Sequence, residues 1–95
     1  MKIQWSPQAI ADLESIRAYI EMDNPAAARR LVSRVVETIE LLLPGSPGTG
    51  RPGRVPGTRE LVVSGTPYVV PYRIQGTIVH ILRVYHGARR WPVRF

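Results

Sequence analysis

The stretch Ser6–Leu43, SPQAIADLESIRAYIEMDNPAAARRLVSRVVETIELLL, carries a helix start signal twice, each followed by an apolar stripe. Ser6 precedes Pro7, and Asn24 precedes Pro25. A small polar residue can cap exposed N–H groups, and proline suits the first helical position because its missing donor is not needed there. After the first signal Ile10, Leu13, Ile16 and Ile20 recur at helical spacing, flanked by Ala9 and Tyr19, which predicts a helix from about Pro7 to Met22. After the second come Ala28, Leu31, Val32, Val35, Val36, Ile39, Leu42 and Leu43, ended by Pro44–Gly45. A connection of two or three residues makes the pair an antiparallel helical hairpin. Arg29, Arg30, Arg34, Glu37 and Glu40 fall mostly off the second stripe and read as a solvated face with intrahelical pairs.

Outward from the hairpin, both flanks read as strands. Before it, MKIQW (1–5) alternates, with Met1, Ile3 and Trp5 on one face of a short half-buried strand. After it, PGSPGTGRPGRVPG (44–57) is dense in glycine and proline, and is expected to form a functional or flexible loop with neither helix nor strand. Its arginines do not make it a phosphate loop, because it lacks the GxxxxGK[ST] spacing and leads into a strand. Three further strands follow, at Thr58–Ser64, Tyr68–Ile74 and Val79–Tyr85, separated by the turn signals Gly65–Thr66–Pro67 and Gln75–Gly76–Thr77. Pro71 has no N–H for a ladder, so its strand should lie at an edge or carry a bulge. The sum is one α+β domain over residues 1–95. An N-terminal strand and an antiparallel helical hairpin pack on an antiparallel sheet completed by a three-strand C-terminal meander.

Charge is distributed unevenly. Residues 1–40 hold five cations against six acids, whereas residues 41–95 hold eight arginines (51, 54, 59, 73, 83, 89, 90, 94) against Glu60 alone. Arginine's planar fork suits phosphate and carboxylate, so the second half favours a nucleic acid or an acidic protein as partner. There is no cysteine, which excludes disulfides and thiolate–metal sites and fits a reducing compartment. Acidic residues interrupt the N-terminus before a signal-peptide core can form, and no apolar run reaches membrane-spanning length. A soluble cytoplasmic protein is expected.

The fourth strand ends in the run His86–Gly87–Ala88–Arg89–Arg90–Trp91–Pro92, where an apolar segment gives way to cations and an indole. With period two, Ile78, His80, Leu82, Val84 and His86 share one face and Val79, Ile81, Arg83 and Tyr85 the other. Which face the helices cover stays open. His80, on a mostly apolar face, reads as a hydrogen-bonded structural histidine, and His86 as partly exposed. Two histidines on one strand with no nearby carboxylate make no metal site, and the few acids lie too far away for a hydrolase triad. No cofactor is implied. The remaining set is arginines, a histidine and tyrosines. It suits either a binding surface or RNA cleavage, with arginines stabilising a pentacoordinate phosphate while a histidine or tyrosine moves protons.

Several motifs in this order resemble the ParE/RelE superfamily of toxins from type II toxin–antitoxin modules. They are Ser6–Pro7–Gln8–Ala9 with Asp12–Leu13 and Ile16, Tyr19–Ile20 with Asn24–Pro25 and Ala27–Ala28, Gly57–Thr58–Arg59–Glu60–Leu61, Pro67–Tyr68 with Tyr72–Arg73–Ile74, and His86–Gly87–Ala88–Arg89 with Trp91–Pro92. The resemblance implies the fold above and an acidic, partly helical antitoxin forming a hetero-oligomer with the toxin. RelE-like members cut mRNA on the ribosome, and Arg59 and Arg89 match two basic positions of that branch, with His86 as a possible proton donor or acceptor. Leu61 and Val69 stand where that branch places cations. ParE-like members lack the nuclease set and are understood to poison DNA gyrase. The resemblance to that branch is the stronger, and implies a toxin that binds gyrase without chemistry of its own. A ribosome-dependent mRNA endonuclease is the alternative, and a basic nucleic-acid-binding module a third reading. The target and antitoxin surface is expected at Arg59, Arg73, Arg83, Tyr85, His86, Arg89, Arg90 and Trp91.

Overall fold

The computed structural model describes residues 1–95. Strand β1 (Lys2–Trp5) leads into helices α1 (Pro7–Glu21) and α2 (Pro25–Leu42). A single 3-10 turn (Pro47–Thr49) and strands β2 (Arg51–Pro52), β3 (Arg59–Val62), β4 (Tyr68–Gln75), β5 (Ile78–Ile81) and β6 (Tyr85–His86) follow. The sheet runs β1-β5-β4-β3-β2, with β6 also paired to β4. All pairs are antiparallel except β1 with β5, which is parallel. No helix is long and apolar enough to cross a membrane.

Both capping signals work as read. The Ser6 hydroxyl accepts the Ala9 N–H at 2.9 Å, and Asn24 Oδ1 accepts the Ala27 N–H at 3.0 Å. The helices cover one face of the sheet. Val35, Ile39 and Leu43 pack with Ala9 of α1 against Leu61, Val63, Val70, Tyr72, Val79, Ile81 and Val84. Each fully buried aliphatic side chain among them contributes about 1.5–3 kcal/mol. Helix α2 therefore supplies most of the helical share of the core. On α1, Leu13 and Ile16 pack against this core as expected, whereas Ile10, expected on the same stripe, is 54% exposed. It borders a shallow groove with Trp5, Leu13, Val32 and Val36.

Three expectations change. First, the glycine- and proline-rich loop is not structureless, since it forms the 3-10 turn and the edge strand β2. The Tyr72 hydroxyl donates to Pro47 O at 2.6 Å and accepts the Gly50 N–H at 2.9 Å. A Cβ at Gly50 would lie 2.6 Å from that hydroxyl, so only glycine lets the backbone pass. Second, Arg29, Arg30 and Arg34 form no ion pairs with the acids of α2; the intrahelical pairs join Arg17 to Glu14 and Glu21 on α1 instead.

Third, the expected fourth strand is two strands with a bulge between them. Pro71 lies within central strand β4 and not at an edge, with its nitrogen directed towards β5. Leu82 N–H donates to Pro71 O at 3.0 Å, but proline returns no hydrogen bond to Leu82 O. The Ser6 hydroxyl takes that role, donating to Leu82 O at 2.7 Å. Between the Tyr72–Ile81 and Val69–Tyr85 pairs, β4 advances three residues and its partner four. The extra residue is a β-bulge at Arg83–Val84. Asp12 of α1 holds it, accepting from Val84 N–H at 3.0 Å and from the Arg83 guanidinium at 2.7 and 2.9 Å. The bulge breaks the period-two assignment of faces. Val79, Ile81 and Val84 face the helices, while His80 and Tyr85 fall on the open side.

Candidate functional site: an arginine and aromatic surface

The open face of the sheet is built around Glu60, the one acid of the basic half. It alternates with Leu61, which enters the core, so the pleat directs Glu60 away from the helices. The side chain is buried, with 1% of its surface exposed. Its carboxylate accepts from Arg51 Nε and Nη2 at 3.2 and 3.0 Å and from the Arg54 N–H at 2.7 Å, and Arg54 Nε lies 3.4 Å away. A buried carboxylate needs this many donors to replace its lost hydration. The arrangement fixes the loop that carries both arginines.

Arginine and aromatic side chains continue from there. The Arg54 guanidinium lies 3.9 Å from the Trp91 ring centroid, and Trp91 meets Tyr85 edge-on at 5.1 Å. Arg83 and Arg89 lie 4.8 and 4.3 Å from the Tyr85 ring, and Phe95 leans on the same ring at 6.2 Å. Stacked guanidinium groups keep their outward N–H groups free to bind anions while their planes rest on the rings. The pairing with Asp12 holds the Arg83 guanidinium above the ordinary arginine pKa.

Of the residues expected at the site, Tyr85, Arg89 and Trp91 come together here, with Arg83 at the border through its bond to Asp12. Arg73 lies elsewhere on the open face, opposite His80. Arg59 is directed the other way and donates to Gly50 O at 2.8 Å, which makes it a strap for the loop. Arg90 is exposed beside the cluster. His86 is exposed and meets Tyr68 edge-on at 5.8 Å; its Nδ1 accepts the Ala88 N–H at 3.1 Å, so the ring's own N–H is on Nε2. His80, expected to be a hydrogen-bonded structural residue, is half-exposed in a surface pocket.

Sequence reasoning missed Arg51, Arg54 and Glu60. The signal available was Glu60 itself, a single acid among eight arginines, set directly before the apolar run Leu61–Val63. Arg59 and His86 pair with β4 at Tyr72 and Tyr68, on opposite flanks. They are separated by about 13 Å along the strand at ~3.3 Å per residue. No single phosphate bridges them in this geometry. The nearest carboxylates, Glu60 and Asp12, are both held by arginines.

A model of the ParE toxin of the parDE type II toxin–antitoxin system matches residues 3–91. The chain belongs to the ParE toxin family. Putative toxin Y4kP of Sinorhizobium fredii is 45% identical over 91 residues, covering 96% of this chain and 93% of that protein. Toxin RelE2 of Caulobacter vibrioides is 40% identical over 88 residues, covering 93% and 97% respectively. A chain from the chromosomal ParDE toxin–antitoxin system of P. aeruginosa superposes with a TM-score of 0.83 at 33% identity, over 90% of this chain and 95% of that one. The ParE-family fold thus accounts for the helical hairpin, the sheet and the exposed face on which the arginines gather.

Proposed function

We propose that this ParE-family toxin inhibits growth by binding and poisoning DNA gyrase, without catalytic chemistry of its own. We further propose that an acidic, partly helical antitoxin segment neutralises it by covering the basic face, in a toxin–antitoxin hetero-oligomer. The observation that carries the reading is the state of Leu61 and Val69. Both stand where nuclease members place cations, and both are buried, at 4% and 5% exposure. Neither position offers a charge to a phosphate. The separation of Arg59 from His86 supports the same conclusion, because general acid–base catalysis needs its groups within hydrogen-bond reach of one reacting centre. The reading places the protein's action in the cytoplasm, where gyrase and its DNA are.

The test is a supercoiling assay with purified toxin, gyrase, ATP and relaxed plasmid. Supercoiling should fall with toxin concentration, and Arg89→Ala should weaken the effect by about tenfold while the protein stays folded. The relative named RelE2 makes mRNA cleavage the competing outcome. Undisturbed supercoiling together with cut mRNA on translating ribosomes would sink the gyrase reading.

A further inference from the structure

The open face carries a second polar group, at the end of the sheet away from Trp91. Register places Arg73 of β4 directly across from His80 of β5, and His80 directly across from Gln4 of β1. Their chain neighbours Tyr72, Ile81 and Trp5 pack on the core, so the pleat brings Arg73, His80 and Gln4 out as one row. With Ser6 and Gln75 they line a pocket of about 250 Å³. A water molecule's share of liquid is about 30 Å³, so this pocket has room for a phosphate group with water around it.

The row is unusual in its electrostatics. Arg73 takes part in none of the ion pairs, which involve Arg17, Arg51, Arg54 and Arg83. Its direct cross-strand partner is His80, whose imidazole can donate an N–H but brings no negative charge to the guanidinium. No acid pairs with Arg73: Glu60 is held by Arg51 and Arg54, Glu40 of α2 accepts the Trp5 indole N–H at 3.3 Å, and Lys2 on β1 is a further cation. A row that combines a free guanidinium, an imidazole and an amide with no internal anion is complementary to an external one.

We propose that Arg73, His80 and Gln4 form a phosphate-binding site. The Arg73 fork takes two oxygens, and an imidazole N–H and the Gln4 amide N–H take the others. The phosphate is either free or carried by a nucleotide or a single strand of nucleic acid. The site does not depend on gyrase being the target, and it is separate from the Tyr85–Trp91 surface.

The two histidines provide the test and its internal control. Ring-proton NMR signals of His80 and His86 are followed during titration with inorganic phosphate, a 5′-mononucleotide and a short single-stranded oligonucleotide, against sodium chloride at matched ionic strength. His80 should shift saturably with phosphate while His86, whose Nδ1 is occupied by Ala88, stays put. Arg73→Gln keeps the stem in place and should weaken binding about tenfold, the loss expected for charge-assisted hydrogen bonds. Gln4→Ala should weaken it by a smaller factor. Tighter binding of the mononucleotide than of phosphate assigns the phosphate to a nucleotide, and a further gain with the oligonucleotide assigns it to a strand. If none of the three ligands moves His80 beyond the chloride control, or if Arg73→Gln binds as tightly as the parent with His86 signals unchanged, the site is refuted.

Discussion

Tyr72 shows how much one side chain decides in this protein. Its ring belongs to the core, and its hydroxyl joins the 3-10 turn to the sheet through Pro47 O and the Gly50 N–H. Tyr72→Phe keeps the ring and strands both backbone groups, a loss of about 1–3 kcal/mol. For a domain of this size that corresponds to a melting temperature about 5–15 °C lower, readable by circular dichroism. A melt unchanged within a degree would show that water serves both groups. The phenol also sets a pH limit. Burial raises the pKa of Tyr68 and of Tyr72 above the ordinary tyrosine value; for Tyr72 the Gly50 hydrogen bond and Arg59 oppose this in part. The folded state therefore holds these protons more tightly than the unfolded chain. Their contribution is fully present below about pH 10 and is lost as pH rises through the folded values. Urea midpoints should thus fall above about pH 10, and fall less steeply in Tyr72→Phe.

At the scale of elements, the deciding feature is the bulge between β5 and β6. It is held by residues distant in sequence: Pro71 withholds a donor, Ser6 replaces it, and Asp12 takes up the freed Val84 N–H together with Arg83. The pair is largely sheltered, with 28% of the Arg83 side chain and 14% of the Asp12 side chain exposed. Asp12→Ala leaves a half-buried guanidinium and an orphaned N–H, and should destabilise the fold by about 2–3 kcal/mol, less than the loss of a fully buried partner. Hydrogen exchange locates the effect. The Val84 amide should exchange much faster in Asp12→Ala, whereas Asp12→Asn, which still accepts a hydrogen bond there, should protect it in part. Equal protection of Val84 in all three proteins would mean that the sheet alone sets the register. The bulge has a functional consequence, because it turns Tyr85 from the helix-covered face to the open one, where Arg89 and Trp91 meet it.

Across the whole molecule, charge and layers coincide. The helices cover one face of the sheet and carry most of the acids, and the basic half gathers arginines on the other face. Two clusters result on the open side. In one, arginines are held by Glu60 and by aromatic rings; in the other, Arg73 and His80 stand without an acid. The first is the surface expected to receive gyrase or an acidic antitoxin segment, and its long-range attraction should weaken with added salt as screening shortens to about 8 Å at physiological ionic strength. Surface plasmon resonance against the cognate antitoxin would show this as a slower association rate with little change in dissociation.

The two helices, their caps, the succession of hairpin strands from Thr58 onward and the basic character of the second half were legible along the chain. Each of these rests on local periodicity, on proline and glycine chemistry, or on simple charge. The resemblance carried by its motifs also pointed to the toxin family. Tertiary structure decided the rest. It alone showed that the Pro44–Gly57 loop is ordered, because Tyr72 and Glu60 lie far along the chain from the backbone they bind. It alone showed which face Tyr85 occupies, because a bulge inverts every side chain beyond it and its causes lie on three separate elements. And it alone separated Arg59, a strap facing inward, from Arg73, free on the open face: strand alternation gives two faces, but only packing decides which of them the helices cover.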